Sequence, residues 1–182
     1  LRWAFGISSG LLLTGSMVLG LLVSTKAADG ILPRPAAFDL HQFMSVLVLT
    51  FTGAHVASLL FDGFLAFTPI DLLVPFRGPY EPIWTGLGVL AAELMVVVYA
   101  SFSLRTRIGI RNWRRLHWAT YLVSAFATLH GLPAGTDSGT TWALALYGAA
   151  TGAVLAATAW RALVPPEIGD SRVSHRDRSL AL

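Results

Sequence analysis

The feature that most constrains this chain is a series of five long apolar runs, separated by short breaks rich in Pro, Gly or Arg. Each run has between 17 and 22 residues, and an α-helix of about 20 residues crosses the roughly 30 Å of hydrocarbon in a bilayer. The runs are Trp3–Ser24, Leu40–Phe61, Ile83–Leu104, Leu116–Leu132 and Trp142–Leu163. They predict an all-α, polytopic membrane helix bundle with five transmembrane helices.

The composition supports a membrane domain and excludes several other classes. Of the 182 residues, 54% are hydrophobic and 13% are charged, whereas a soluble domain carries about 25% charged residues. Disorder requires low hydrophobicity and is therefore excluded. The formal charge is only +3 and the arginines are concentrated in particular loops, which argues against a nucleic-acid binder. The sequence has no cysteine, which excludes disulfides, zinc–thiolate sites, iron–sulfur clusters and thiol catalysis.

The basic residues predict the orientation of the bundle. With five spans, the N-terminus and the 62–82 and 133–141 loops share one side, where Arg2 and Arg77 are the only basic residues. The opposite side carries 11: Lys26, Arg34, Arg105, Arg107, Arg111, Arg114, Arg115, Arg161, Arg172, Arg176 and Arg178. The positive-inside rule makes that side cytoplasmic. We therefore expect a plasma or inner membrane location, an outer N-terminus, a polar cytoplasmic tail at 164–182 and one membrane domain at 1–163.

The first run is interpreted as a retained helix. Ala27-Ala28 resembles a signal-peptidase site, but cleavage there would place the arginine-rich 105–115 loop outside, against the positive-inside rule. The sequence begins with Leu1 rather than Met. A sixth helix, missing before it and entering from the cytoplasm, would account for an outer N-terminus.

Four of the five histidines lie in two of the apolar runs. His41 and His55 are 14 residues apart in the second run, and His117 and His130 are 13 apart in the fourth. These runs are separated by one helix and so are parallel, which places one histidine of each pair at each of two depths, about 20 Å apart. Polar residues inside a membrane face the bundle interior and mark function. Two histidines at each depth match two stacked haems with paired axial imidazoles.

Other interpretations of the histidines are available. A single buried histidine is usually a hydrogen-bonded core residue, and a metal transporter would gather His, Asp and Glu at one depth, whereas these four are split between two. The fifth, His175, lies among charged residues of the tail and is interpreted as solvated. At about 100° per residue His41 and His55 share a helix face, but His117 and His130 are about 140° apart. Tightening of the last turn before Gly131, or a tilted helix, would reduce that gap.

The two histidine pairs, together with the run Arg111-Asn-Trp113-Arg114-Arg115-Leu116-His117 and Tyr121, resemble the ferric-reductase-like transmembrane domain. That family includes ferric reductases, NADPH oxidases and the haem-binding membrane subunit of the methionine sulfoxide reductase system, and the similarity covers about residues 1–163. The resemblance implies two haem b groups, with iron bound by His41 and His117 on the inner side and by His55 and His130 on the outer side. It also implies electron flow outward from the cytoplasm.

The chain departs from the family pattern in two places. Oxidase members continue into a flavin- and nicotinamide-binding domain, whereas only 19 residues follow the last run here; we expect an oxidoreductase component that lacks its own flavin/NAD(P)H domain. Some members place an aromatic residue midway between the second pair of histidines, where this chain has Val123. Phe51, Tyr121 or Phe126 would have to substitute for it.

Four further charged residues are candidates for a role at the haems. Arg114 and Arg115, within one turn of His117, would bind inner haem propionates, or mark topology by reaching to the interface. Arg77 would bind outer propionates or an anionic iron chelate, or be a plain surface residue. Glu93, near the middle of the third run, would carry protons or, as we favour, form a protonated, hydrogen-bonded carboxyl inside the bundle.

These observations predict single-electron transfer across a lipid membrane from a cytoplasmic flavoprotein or quinol to an outer acceptor such as a ferric chelate. In the alternative, a cytochrome b membrane subunit draws electrons from quinol or a flavoprotein and feeds a separate exported oxidoreductase. Nucleic acid is not an expected partner.

Overall fold

Six helices make up the part of the chain that the computed structural model describes, which is residues 2–25, 32–63, 65–135 and 139–164. No strand occurs in these ranges. The helices are α1 Arg2–Thr25, α2 Arg34–Leu60, α3 Pro82–Ile108, α4 Ile110–His117, α5 Thr120–Ala134 and α6 Thr141–Leu163. The all-α prediction is confirmed for the described residues.

Four of these helices, α1, α2, α3 and α6, are long and apolar enough to cross a membrane. They correspond to the first, second, third and fifth apolar runs. The largest boundary difference is the start of α2, which begins at Arg34, six residues before the predicted Leu40, because Pro35 is compatible with the first turn of a helix. At the C-terminal end of α3, the helix stops at Gly109, whose φ is 84°.

The fourth apolar run is not the single helix that the sequence predicted. His117 is the last residue of the short helix α4, and α5 begins only at Thr120. The two are joined by tight backbone bonds, from the Trp118 N–H to the Arg115 carbonyl at 3.2 Å and from the Ala119 N–H to the Leu116 carbonyl at 2.9 Å. With 15 residues, α5 is shorter than the about 20 that cross a bilayer at right angles.

The helices pack in antiparallel pairs, α1 with α2 and α3 with α5, and α6 closes against α1. In the first pair the register is marked by a hydrogen bond between the Ser9 and Thr52 hydroxyls and by another, of 3.3 Å, between those of Ser16 and Ser45. The α1–α6 contact is a small apolar cluster formed by Met17, Leu21 and Val154. By contrast, α2 and α5 are not closely packed against each other.

The segment between α2 and α3 covers one end of the bundle. Phe67 and Leu72 are its buried anchors, and the Phe67 ring lies so close to Gly78 that a Cβ there would be 2.7 Å from it. Phe67 and Leu72 line the same cavity as His55 and His130. This end therefore has a protein cover over one of the histidine pairs.

Candidate functional site: two histidine pairs

The four histidines of the apolar runs form two pairs, as predicted. The imidazole rings of His41 and His117 have their centroids 6.3 Å apart, with an angle of 75° between the ring planes. Those of His55 and His130 are also 6.3 Å apart, at 65°. Each pair joins α2 to the α4–α5 segment, so one pair lies at each end of the bundle.

The two pairs are held apart by an unbroken helix. His41 and His55 both lie in α2, which is continuous from Arg34 to Leu60. A separation of 14 residues at about 1.5 Å per residue gives about 21 Å along the helix axis.

The break between α4 and α5 reduces the angle, measured around the helix axis, between the directions in which His117 and His130 point. Besides the two tight bonds already described, the Tyr121 N–H donates to the Trp118 carbonyl at 3.1 Å. Each residue in such a 3₁₀ turn rotates the chain by about 120° rather than about 100°, so three of them reduce the expected gap from about 140° to about 80°. The tightening therefore follows His117; of the two alternatives that the sequence left open, tightening before Gly131 does not occur, since α5 continues to Ala134.

Two of the histidines are oriented by backbone carbonyls of a neighbouring helix. His41 Nδ1 lies 2.9 Å from the Ser16 carbonyl oxygen, and His130 Nδ1 lies 3.0 Å from the Trp84 carbonyl oxygen. A carbonyl only accepts hydrogen bonds, so the Nδ1 atoms carry the protons. The Nε2 lone pairs are then free to bind a metal, in the arrangement typical of metal-binding histidines.

Glycines make this close approach possible. A Cβ at Gly20 would lie 3.1 Å from the His41 ring, and a Cβ at Gly88 only 2.7 Å from the His130 ring. Each glycine follows the accepting carbonyl by four residues, so the missing side chain opens that carbonyl to a second donor. Gly6 faces His55 in the same way, at 3.2 Å.

The glycines are functional residues that the sequence analysis did not identify. Gly6 and Gly20 are 14 residues apart, the same spacing as His55 and His41. In antiparallel helices of equal rise, a matched spacing indicates facing residues, so this signal was present in the sequence.

The geometry of both pairs fits haem, the group that the family resemblance implies. A histidine nitrogen binds a metal at about 2.0 Å, and the centre of an imidazole lies about 1.1 Å from its nitrogens, given ring bonds of about 1.35 Å. Two imidazoles on opposite sides of one iron therefore have centroids about 6.3 Å apart. Rotation of the rings about the shared axis leaves this separation unchanged, so the steep interplanar angles are compatible with it.

A cavity of about 360 Å³ adjoins the His55–His130 pair. Its walls come from α1, α2, α3, α5 and α6, and they are mostly apolar. This is within the size range of ligand sites, about 300–1,000 Å³. Because α2 and α5 are not in close contact, the space between them is bridged by the histidine side chains.

Two valines are buried in the layer between the two pairs, at a depth where hydroxyl side chains of α1 and α2 also bond to each other. Val48 is seven residues from both His41 and His55, and Val123 lies between His117 and His130; each is 2% exposed. Two of the predicted aromatic substitutes have other partners, since Phe51 contacts the Phe5 ring and Tyr121 stacks on Trp118. Phe126 is half-buried on α5.

The predicted arginines are at the surface of the protein. Arg114 and Arg115 are exposed on α4, next to His117. Arg77 lies in the segment between α2 and α3, 58% exposed, with its Nε 3.6 Å from an Asp71 carboxylate oxygen. That carboxylate also accepts hydrogen bonds from Thr68, which, with the weaker effect of Arg77, lower the pKa of Asp71.

Two other predicted residues have different outcomes. Glu93 lies on the exposed surface of α3, so the favoured interpretation of a carboxyl inside the bundle is wrong. The side chains on α3 that reach the cavity are small or apolar neighbours such as Val89 and Ala92. His175 lies outside the described residues.

Trp113 was quoted in the sequence motif without a role, and the structure places it beside the inner pair. Its ring centroid is 5.3 Å from that of His117, and its other neighbour is Phe102, at 6.0 Å. The indole Nε1 is buried and has no hydrogen-bond partner, the one such side-chain atom in the described part of the chain.

Within the described ranges, no three or more His, Cys, Asp or Glu side chains come together as a metal-binding group; the histidines meet in twos. Comparison of the chain with models of known protein families, with curated proteins and with solved structures gives no match.

Proposed function

We propose that this chain is a membrane electron-transfer protein that binds two b-type haems and passes electrons from a cytoplasmic reductant to an outer acceptor such as a ferric chelate. The observation that carries the proposal is the identical 6.3 Å separation of two histidine pairs at opposite ends of one bundle. Ordinary ring contacts in this structure have centroids 6.0 to 6.2 Å apart, so the support comes from the repetition of the pair at both ends of α2 and from the carbonyls that hold Nδ1 of His41 and His130.

The ligands would be His41 and His117 for the inner haem, and His55 and His130 for the outer one. When bound, each haem supplies a centre that gains and loses one electron. The Ser16 and Trp84 carbonyls fix the orientation of His41 and His130 and increase the basicity of their Nε2 atoms. Because two imidazoles serve each site, the chain offers no open axial position to a substrate, and the acceptor is expected to bind at the outer surface.

The side chains between the two sites restrict what can cross the bundle. Val48 and Val123 are almost completely buried, and the hydroxyls at intermediate depth bond to one another, Ser9 to Thr52 and Ser16 to Ser45. On α1, α2 and α5 no carboxylate, histidine or basic side chain lies between the two pairs, which favours passage of electrons over passage of metal ions and so distinguishes the proposal from a transporter that relays its cargo between histidines.

The proposed orientation follows from the charges of the loops. With α5 crossing as the fourth of five spans, the positive-inside rule puts the arginines of α4 in the cytoplasm and the N-terminus outside. Arg114 and Arg115 are then available to inner haem propionates. Arg77, together with Asp71, lies on the outer side, close to where an anionic iron chelate would approach.

Inside-out membrane vesicles containing the protein test the proposal. Ferric citrate is trapped in the lumen, which corresponds to the outer side, and dithionite is added to the cytoplasmic face. The wild-type chain should reduce the trapped iron. His55→Ala should leave the inner haem reducible by dithionite but bring iron reduction down to that of vesicles without the protein. His175→Ala, the matched histidine control, should behave as wild type.

A second variant tests the order of the two sites. In His41→Ala vesicles the outer haem should stay oxidised when dithionite is added to the cytoplasmic face. The reason is that about 21 Å of helix separates the outer haem from the lost inner site. It should become reduced when ascorbate is added with the membrane-permeant mediator tetramethyl-p-phenylenediamine. The proposal would be refuted if the His55→Ala and His41→Ala variants both reduced the trapped iron at the wild-type rate. It would also be refuted if the wild-type chain did not reduce the iron at all.

A further inference from the structure

The indole N–H of Trp113 is the starting point of this inference. It is a buried donor without an acceptor, and burial of an unpaired polar group costs free energy that folded proteins generally avoid. Packing alone does not require the nitrogen, since a phenylalanine would fill the space against Phe102 without leaving a donor unpaired. A tryptophan at this position therefore indicates an acceptor that the chain itself does not provide.

The position of Trp113 identifies where that acceptor lies. Trp113 and His117 are four residues apart in α4, so they share one face of the helix, and their rings are 5.3 Å apart with an interplanar angle of 32°. An acceptor within reach of this indole therefore lies close to the His41–His117 pair. Arg114 and Arg115 on the same helix are exposed, so the buried donor of α4 nearest this pair is the indole.

We propose that Trp113 Nε1–H donates a hydrogen bond to a carboxylate of the inner haem, and that it is a cofactor-binding residue of that site. The inference rests on the proposed function, because it presumes haem between His41 and His117. A propionate is the acceptor chemistry that haem brings, and hydrogen bonds to an ionised carboxylate are stronger than those between neutral groups. A buried neutral donor suits this place, since it binds one oxygen without bringing a second charge into the bundle.

The surroundings of His117 differ from those of the other three histidines. His41, His55 and His130 are each approached by a glycine of the neighbouring helix, at 3.1, 3.2 and 2.7 Å, whereas the ring beside His117 is an indole. Trp113 thus gives this ligand an aromatic neighbour and gives the rim of its site a hydrogen-bond donor.

The test uses Trp113→Phe, which keeps an aromatic ring and removes the N–H. It is made in the His55→Ala background, so that only the inner haem is present, and the readout is the rate at which haem is lost to excess apomyoglobin. Loss of one hydrogen bond to a charged group predicts haem release faster by about tenfold. The matched control, Trp160→Phe, changes an exposed tryptophan of α6 and should leave the rate unchanged.

Two further arms separate a hydrogen bond from packing. Site-specific replacement of Trp113 by benzothienylalanine, which substitutes sulfur for N–H in the same ring shape, should accelerate haem release as Trp113→Phe does. In the His41→Ala background, where only the outer haem is present, Trp113→Phe should have no effect. Ultraviolet resonance Raman spectra should also show one indole N–H become hydrogen-bonded when haem is added to the haem-free protein.

Each outcome decides a different claim. Equal release rates for Trp113→Phe, benzothienylalanine and wild type would overturn the role of Trp113 while the two-haem function stands. Faster release with Trp113→Phe but not with benzothienylalanine would also overturn it, by assigning the effect to packing. A wild-type chain that binds no haem would overturn the proposed function as well.

Discussion

At the scale of single residues, the positions of the His41 and His130 rings depend on glycines, which have no side chain, on the facing helices. Gly20 and Gly88 have no side chain, so His41 and His130 reach carbonyl oxygens that a larger residue would cover. This contact sets both the protonation of Nδ1 and the direction of Nε2. The geometry that the proposed haem ligation requires is therefore a property of histidine and glycine together, and replacement of the glycine should impair haem binding although the histidine is retained.

Gly88→Ala tests this dependence. The added Cβ would lie 2.7 Å from the His130 ring, a distance that forces the imidazole away from the Trp84 carbonyl, so we expect haem content to fall from two per chain towards one. Gly53→Ala is the control, because a Cβ at Gly53 meets nothing within 4 Å. Haem is measured against protein in the purified variants. Equal, full occupancy in both would show that the glycine does not position the ligand.

At the scale of elements, the break between α4 and α5 determines how the second pair of histidines is presented. Trp118 and Ala119 have backbone angles of −62°, −19° and −61°, −14°, near those of a 3₁₀ turn. Trp118 is fixed from two sides, by the stacked Tyr121 ring and by the Arg161 guanidinium of α6, 5.2 Å from its centroid. Contacts between helices thus stabilise a local turn that sets the angle between His117 and His130.

Deletion of Ala119 should break this relation. The two histidines are now about 80° short of whole turns, and removing one residue takes away at least another 100° of rotation and about 1.5 Å of rise, so His117 and His130 would point in opposite directions and could no longer face α2 together. We expect the loss of one haem of the two. The control deletes Gly139, between α5 and α6, where neither histidine is displaced relative to the other. Full haem content in the first variant would contradict the importance of the turn.

The segment between α2 and α3 should respond to acid through Asp71. Hydrogen bonds from Thr68, and then the charge of Arg77, lower the pKa of Asp71 below its ordinary 3.8. The ionised form is therefore favoured in the folded segment, so its stabilising contribution is complete above pH 3.8 and is lost as the pH falls through the lowered value. Hydrogen exchange of the Thr68 amide, which donates to Asp71, should accelerate relative to its intrinsic rate below that pH. Asp71→Asn should abolish the acid step; its persistence would assign the step to another group.

The sequence predicted the positions of the helices better than it predicted which side of each helix faces the bundle interior. Run length located α1, α2, α3 and α6, and histidine spacing predicted both pairs, because helical rise alone determines depth. Hydropathy could not predict the break at Trp118, since the run of residues around it contains no Pro or Gly to mark a helix end, and the contact of Trp118 with Arg161 comes from another helix. Nor could it predict that Glu93 is exposed, because a helix apolar on all sides has no periodicity to show which face meets the bundle.

At the scale of the whole molecule, the bundle has apolar surfaces outside and two polar sites inside, one near each end. Large side chains such as Phe43, Ile83 and Leu155 are 59 to 65% exposed, which suits contact with lipid. The histidine sites are separated by a layer that includes the buried Val48 and Val123. This arrangement places the two histidine sites near opposite ends of the bundle, as the proposed electron transfer requires.

The proposed direction of electron flow depends on which end of the bundle faces the cytoplasm, and cysteine labelling tests that orientation. The sequence has no cysteine, so single probes are free of background. We expect Arg111→Cys in α4 to react with a membrane-impermeant maleimide only from the cytoplasmic side, and Gly139→Cys, between α5 and α6, only from the outer side. Both residues are exposed. The opposite pattern would reverse the proposed direction.

The most direct test of the two-haem account is the haem content and spin state of the purified wild-type protein. Haem is quantified per chain, and electron paramagnetic resonance of the oxidised sample reports the ligands of the iron. Two pairs of imidazoles at 6.3 Å predict two haems per chain, both six-coordinate and low-spin. A haem-replete preparation with one haem per chain, or with a high-spin signal from an iron that lacks one imidazole, would contradict the account.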